Sequence, residues 1–195
     1  MAFLSGNFIL AKSYLMNGEN AKALDLFPQS AKGIHKEPYL INFTKPSDSS
    51  SVPPDEMLSI FYLKVIRLFE HYGAYDCINV LAQIAIGTSV HSKQQAMFQS
   101  IDFSSHMELG HYEEAYHSLV YNCEITRKKD CLRQLVWRLF QAKKFNVLVD
   151  LPYYGLEADF QNIMEMHARS VEISENSHYD FLYSYHILQG NMRKG

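Results

Sequence analysis

The stretch GHYEEAYHSL, residues 110–119, packs two histidines, two glutamates and two tyrosines into ten positions. Either these side chains gather for chemistry, or one helix ends at Gly110 and another begins. The second reading follows from backbone physics. Glycine enters the left-handed region cheaply, so it closes a helix and turns the chain. Glu113 and Glu114 then fall in the first turn of the next helix, at its positive end. Ala115 is small enough to let that helix pack closely on the one before it.

The same break recurs outward from this point. It is found at Gly18 in YLMNGENAKALDLF, at Gly73 in EHYGAYDCINVL and at Ala142 in RLFQAKKFNVLV. Five residues after each break stands a small or apolar residue: Ala23, Ile78, Ala115 and Val147. At nine stand Phe27, Ala82, Leu119 and Leu151, and an aromatic follows three of the breaks closely, at Tyr75, Tyr112 and Phe145. The breaks lie 55, 37 and 32 residues apart (73−18, 110−73, 142−110). These are the marks of helical hairpins like tetratricopeptide repeats, with an irregular period. The expected fold is all-α, an α-solenoid of about five irregular TPR-like hairpins forming a single segment over residues 1–195.

Helical periodicity supports this between the breaks. Leu58, Phe61, Val65, Leu68 and Tyr72 form one apolar stripe, with Lys64, Arg67 and His71 opposite. Leu132, Leu135, Val136, Leu139 and Phe140 form another. LVDLPYYG is the nearest approach to a strand, and Pro152 makes it a helix end and turn. NFTKPSDSSSVPP, residues 42–54, is poor in aliphatic side chains and reads as a flexible loop. Pro53 and Pro54 supply the next helix start, with Asp55 and Glu56 in its first turn.

Composition narrows the function. The chain has 195 residues, is 47% hydrophobic and carries a formal net charge of −3, which excludes the basic balance of a nucleic-acid binder. The run Arg127-Lys128-Lys129, with Arg133, reads as a solvated inter-helix turn. Three cysteines, Cys77, Cys123 and Cys131, form no CxxC pair and fit buried thiols in a reducing compartment. No basic n-region precedes an apolar core at the start, and no run is long enough to span a membrane. A soluble, intracellular chain is expected.

Chemical readings find little support. Glu114 and His117 have the ExxH spacing of di-iron bundles, as do Glu175 and His178, with Glu165 and Glu124 as the further acids. But Ser177 and Asp180 form a capping box, which puts Glu175 outside the helix that carries His178. HExxH, GxSxG, GxGxxG and GxxxxGK[ST] are absent. Histidines 106, 111 and 117 read as decoration of an elbow and an exposed face, Trp137 as packing, and Met164 and Met166 as adaptable filler. No catalytic, cofactor or metal residue is assigned. The candidate interface is the last helical stretch, HYDFLYSYHILQG, apolar nearly all round: Tyr179, Phe181, Leu182, Tyr185 and Leu188. A general TPR-like adaptor that binds a peptide is the alternative, although no convergent set of Asn, Lys or Arg marks its groove.

The segments YLKVIRLFEHYG, DCLRQLVWRLFQAKKFNVLVDLPY and ARSVEISENSHYDFLYSYHILQGNMRKG resemble the C-terminal helical half of the 160-kilodalton nucleoporin family. The resemblance implies a scaffold subunit of the nuclear pore's outer-ring Y complex, with an α-solenoid that follows a β-propeller. It implies no enzymatic activity and no cofactor. Its partners are other nucleoporins of the outer ring, with no direct nucleic acid, membrane insertion or small-molecule substrate. It implies a place at the nuclear envelope and indirect support of protein import and messenger RNA export. The propeller is missing here, so the chain reads as a piece of something longer. Pro28 is a departure, in a place where the family's helix continues.

Overall fold

Four helix ends carry one backbone signature, and it sets the architecture. The computed structural model describes residues 4–45 and 53–170. Among these, Gly18, Gly73, Gly110 and Lys143 have φ of 77°, 67°, 74° and 54°. The amide after each bonds five residues back: Glu19 to the Tyr14 carbonyl at 2.9 Å, Ala74 to Phe69 at 3.0 Å, His111 to His106 at 2.9 Å and Lys144 to Leu139 at 2.9 Å. The left-handed residue's own amide bonds three back, to Leu15, Glu70, Met107 and Phe140. This is the paired bonding of the Schellman motif, which satisfies carbonyls that a helix end leaves bare. The next residue, with φ between −88° and −84° and ψ between 58° and 74°, starts the second helix each time.

The fourth elbow therefore turns at Lys143, one residue later than the sequence reading places it at Ala142. Counted from the left-handed residue, position plus five is Ala23, Ile78, Ala115 and Leu148, and none exceeds 1% exposure. Val147, expected in that role, is half-buried.

The described residues form helices joined by turns and short irregular links, in TPR-like hairpins, and divide into two compact units between Glu124 and Ile125. In the first, α1 (Leu4–Met16) pairs with α2 (Asn20–Ala31), α4 (Pro54–His71) with α5 (Tyr75–Thr88), and α6 (Ser92–Leu109) with α7 (Tyr112–Val120). The short α3 (Pro38–Thr44) packs on α4. Its last turn takes up Asn42–Thr44, so helix occupies the beginning of the stretch expected as loop; residues 46–52 lie outside the described ones. Pro54 opens α4, as its fixed φ allows. Pro28 sits inside α2, which runs on only to Ala31 before it ends.

Phe8 knots this unit together. Its ring lies 5.3 Å from Phe27 on α2, 4.6 Å from Phe43 on α3 and 6.0 Å from Phe61 on α4. Edge-on and tilted rings of this kind add to the burial they already contribute. On α4 the buried set is Phe61, Tyr62, Val65, Ile66 and Phe69, so the stripe is rotated from the expected one and leaves Tyr72 exposed. Two charged side chains close helix ends from a distance. The Glu37 carboxylate accepts the amides of Leu4 (2.8 Å) and Ser5 (2.7 Å) at the start of α1. Lys64 donates to the carbonyls of Phe43 (2.6 Å) and Lys45 (2.9 Å) at the end of α3. Each sign matches the helix end it meets.

In the second unit, α8 (Ile125–Gln141) pairs with α9 (Phe145–Asp150) and also packs on α10 (Glu157–Ser170). Leu132, Leu135, Val136, Leu139 and Phe140 are buried as expected. Tyr153 stacks on Phe160 at 4.1 Å and donates its hydroxyl to the Leu148 carbonyl at 2.7 Å. Arg127, Lys128 and Lys129 lie within the first turns of α8 instead of forming an inter-helix turn. Lys129 pairs with Asp159 at 2.9 Å and Arg133 with Asp130 at 2.8 Å. Met164 is core and Met166 is exposed.

A side chain in the left-handed region costs about 1–2 kcal/mol, so Lys143→Gly raises stability by about 1 kcal/mol in urea unfolding, and Gly110→Ala lowers it by about the same. The bonds from Ser5, and then from Leu4, hold the Glu37 carboxyl below its ordinary range. Its contribution is therefore full above that range and is lost as pH falls through the lowered value. Glu37→Gln flattens that part of the stability-against-pH curve.

Candidate functional site

Helix α6 packs against both α5 and α7, and its buried face is not purely apolar. Ala96, Phe98, Phe103 and Met107 are buried there, and so are Asp102 and Ser105. Ser105 donates to the Tyr75 carbonyl at 2.8 Å and so ties α6 to the first turn of α5. Asn122, just beyond α7, donates to the Ala96 carbonyl at 2.9 Å and to Ser100 Oγ at 3.2 Å. These bonds pin both ends of the three-helix layer.

Asp102 is 1% exposed and forms the centre of the site. Its Oδ2 accepts from Ser118 Oγ of α7 at 2.6 Å and from Gln83 Nε2 of α5 at 2.8 Å. One carboxylate oxygen thus holds three helices together through short, charge-assisted bonds. Its Oδ1 has no partner among the described residues. His106 Nε2 stands 3.8 Å from it, too far for a hydrogen bond. His106 Nδ1 lies 3.2 Å from Asn79 Nδ2, within hydrogen-bond distance, so Asn79 holds that side of the ring.

A cleft of about 490 Å³ opens over this carboxylate. Asp102 and Ser118 lie at its depth, and Gln83, Glu114, His117 and Tyr121 are on its exposed margin. No lysine or arginine among the described residues lines it.

The residues considered for chemistry can now be placed. Glu114 and His117 share the cleft, and both are exposed. Glu124 lies between α7 and α8, and Glu165 on α10. No three acids, histidines or cysteines among the described residues gather as a metal site. His111 decorates its elbow as expected. His106 does not: it is half-buried, 6.0 Å ring to ring from His111 and set beside Asp102. Burial first, then the Asp76 charge, raises the Cys77 thiol above its ordinary range, the opposite of activation. Cys77 is half-buried, Cys123 is exposed, and of the three thiols expected inside only Cys131 is fully buried. Trp137 is 45% exposed, at the side of the buried stripe of α8. Tyr179, Phe181, Leu182, Tyr185 and Leu188, the expected interface, lie outside the described residues. No described helix is long and apolar enough to cross a membrane.

Asp102 was missed in the sequence although a signal was present. It stands four after Phe98 and next to Phe103, inside the buried period of α6. A hydrogen bond to a charged group contributes about 2 kcal/mol. Ser118→Ala is therefore expected to lower stability by about that much in chemical denaturation, and by clearly less when Asp102 is already Asn.

Over residues 2–195 the sequence matches the family described as NUP160/120 middle TPR. It is 44% identical over 204 residues to the nuclear pore complex protein Nup160 homolog of Drosophila melanogaster, which covers 96% of this chain and 14% of the fly protein. It is 35% identical over 191 residues to human nuclear pore complex protein Nup160, covering 97% of this chain and 13% of that protein. Nucleoporin NUP120 of Chaetomium thermophilum is 21% identical over 140 residues, 68% of this chain and 11% of the fungal one. The chain thus spans about one-seventh of the length of its fly and human relatives.

Proposed function

The chain belongs to the NUP160/120 family, and from that premise we propose that it is a scaffold segment of the nuclear pore's outer-ring Y complex. It acts at the nuclear envelope by presenting helical surfaces to other nucleoporins. It supports the passage of protein and messenger RNA indirectly, by helping to build the ring. It has no enzymatic activity of its own. We place it in the helical part of a longer chain. The family description points to a middle section where the sequence resemblance suggests the C-terminal half.

The observation that carries this reading is the match along residues 2–195, which takes in all four elbows. The architecture agrees with it. Repeated hairpins whose side chains are used mainly for packing make a surface suited to binding other proteins. The match to a pore family outweighs the adaptor reading that is unrelated to the pore.

The test is a chimera in Drosophila cells depleted of their own relative. The matching segment of the fly protein is replaced by this chain, with the fly segment and a deletion as controls. The chimera is expected at the nuclear rim, copurifying with outer-ring nucleoporins, where the deletion fails. A chimera that stays dispersed while the fly segment returns to the rim contradicts the proposal.

A further inference from the structure

We propose that the cleft between α5 and α7 receives a cationic side chain, an arginine or lysine presented by a protein partner, with Asp102 as its counterion. The inference rests on the scaffold reading above for the kind of partner, and on the cleft's own chemistry for the cation.

Three observations carry it. The Asp102 carboxylate is buried, and its Oδ2 is satisfied by two neutral donors, Ser118 and Gln83. Its Oδ1, in a residue that lines the cleft, has no partner among the described residues. A buried carboxylate with an unused oxygen is costly to maintain, and a hydrogen-bonded cation offsets that cost most directly. Second, the cleft holds a second acid, Glu114, at its exposed margin, and no lysine or arginine lines it. The chain therefore supplies two carboxylates there, and among the described residues the only basic groups it sets beside them are the imidazoles of His106 and His117. Third, Tyr121, 73% exposed, stands at the opening, where its ring face can take a passing guanidinium or ammonium. At about 490 Å³ the space admits a long basic side chain. Such a chain lays its methylenes along Ile86 and its head group at the Asp102 carboxylate, where it reaches the buried Oδ1 by a shift of the side chains that cover that oxygen.

His106 does not take this place. Its Nδ1 is held by Asn79, and its Nε2 stops 3.8 Å short of Oδ1. It flanks the carboxylate without closing the bond.

The test uses the isotopically labelled chain and nuclear magnetic resonance of its amides. The probe is N-acetyl-arginine amide, and N-acetyl-citrulline amide is the neutral control of the same shape. The arginine probe is expected to shift amides around Gln83, Asp102, Glu114 and Ser118, and the citrulline probe is not. Asp102→Asn weakens the response about tenfold or more, and Glu114→Gln weakens it less. Circular dichroism checks that each variant keeps its helix content. Equal responses to the two probes, or an arginine response unchanged in both variants, overturns the proposal. A second arm compares capture of outer-ring nucleoporins from nuclear-envelope extract by the wild-type chain and D102N. Reduced capture by D102N supports a protein as the source of the cation. Undiminished capture by a variant that has lost the probe overturns that source. A wild-type chain that binds the probe and captures no nucleoporin counts against the pore reading while supporting the cation site.

Discussion

The left-handed residue that ends each first helix is the constraint on which the rest depends. With it in place, two amides turn back onto the helix end, and the next residue opens the second helix with nearly the same backbone dihedrals each time. That shared geometry accompanies burial at position plus five, where Ala23, Ile78, Ala115 and Leu148 are all inside. Packing in each unit grows from these points. Where no glycine is present, at Lys143, the same geometry holds at a local energetic cost. Packing of α8 against its neighbours outweighs the preference of a single residue.

The second level of order is polar and joins elements far apart in sequence. Glu37 closes the start of α1 across 33 and 32 residues, and Lys64 closes the end of α3 across 21 and 19. Asp102 draws Gln83 and Ser118 onto one oxygen. Such bonds specify which helix meets which, where apolar packing alone would tolerate several arrangements. The Asp102 network also leaves one buried oxygen without a partner in a residue that lines a cleft, so a structural centre and a candidate recognition point lie side by side.

The parts legible in the sequence were those with a local cause. Gly18, Gly73 and Gly110 announce their turns because few other residues enter that conformation. The stripe of α8 was legible because that helix is covered along one face. The stripe of α4 was misplaced by part of a turn, because α3 and α5 bury it from two sides and Ile66 and Phe69 join the buried set. Lys143 gives no local sign of a left-handed backbone, so that elbow was read one residue early. Lys64 and Glu37 look like ordinary surface charges until the tertiary fold sets them against helix ends. The basic run at 127–129 resembles a turn in composition, yet it is held helical by the stripe that follows it. Asp102 is one more polar residue along α6 until the burial of that helix between two others makes it central.

The claim that four identical elbows organise the chain is open to one direct measurement, hydrogen exchange resolved residue by residue. The amides of Glu19, Ala74, His111 and Lys144 each bond five residues back. They are predicted to exchange as slowly as amides in the adjoining helices, with Lys144 protected like the three that follow glycine. Exchange at these four positions as fast as in open loops would contradict the account.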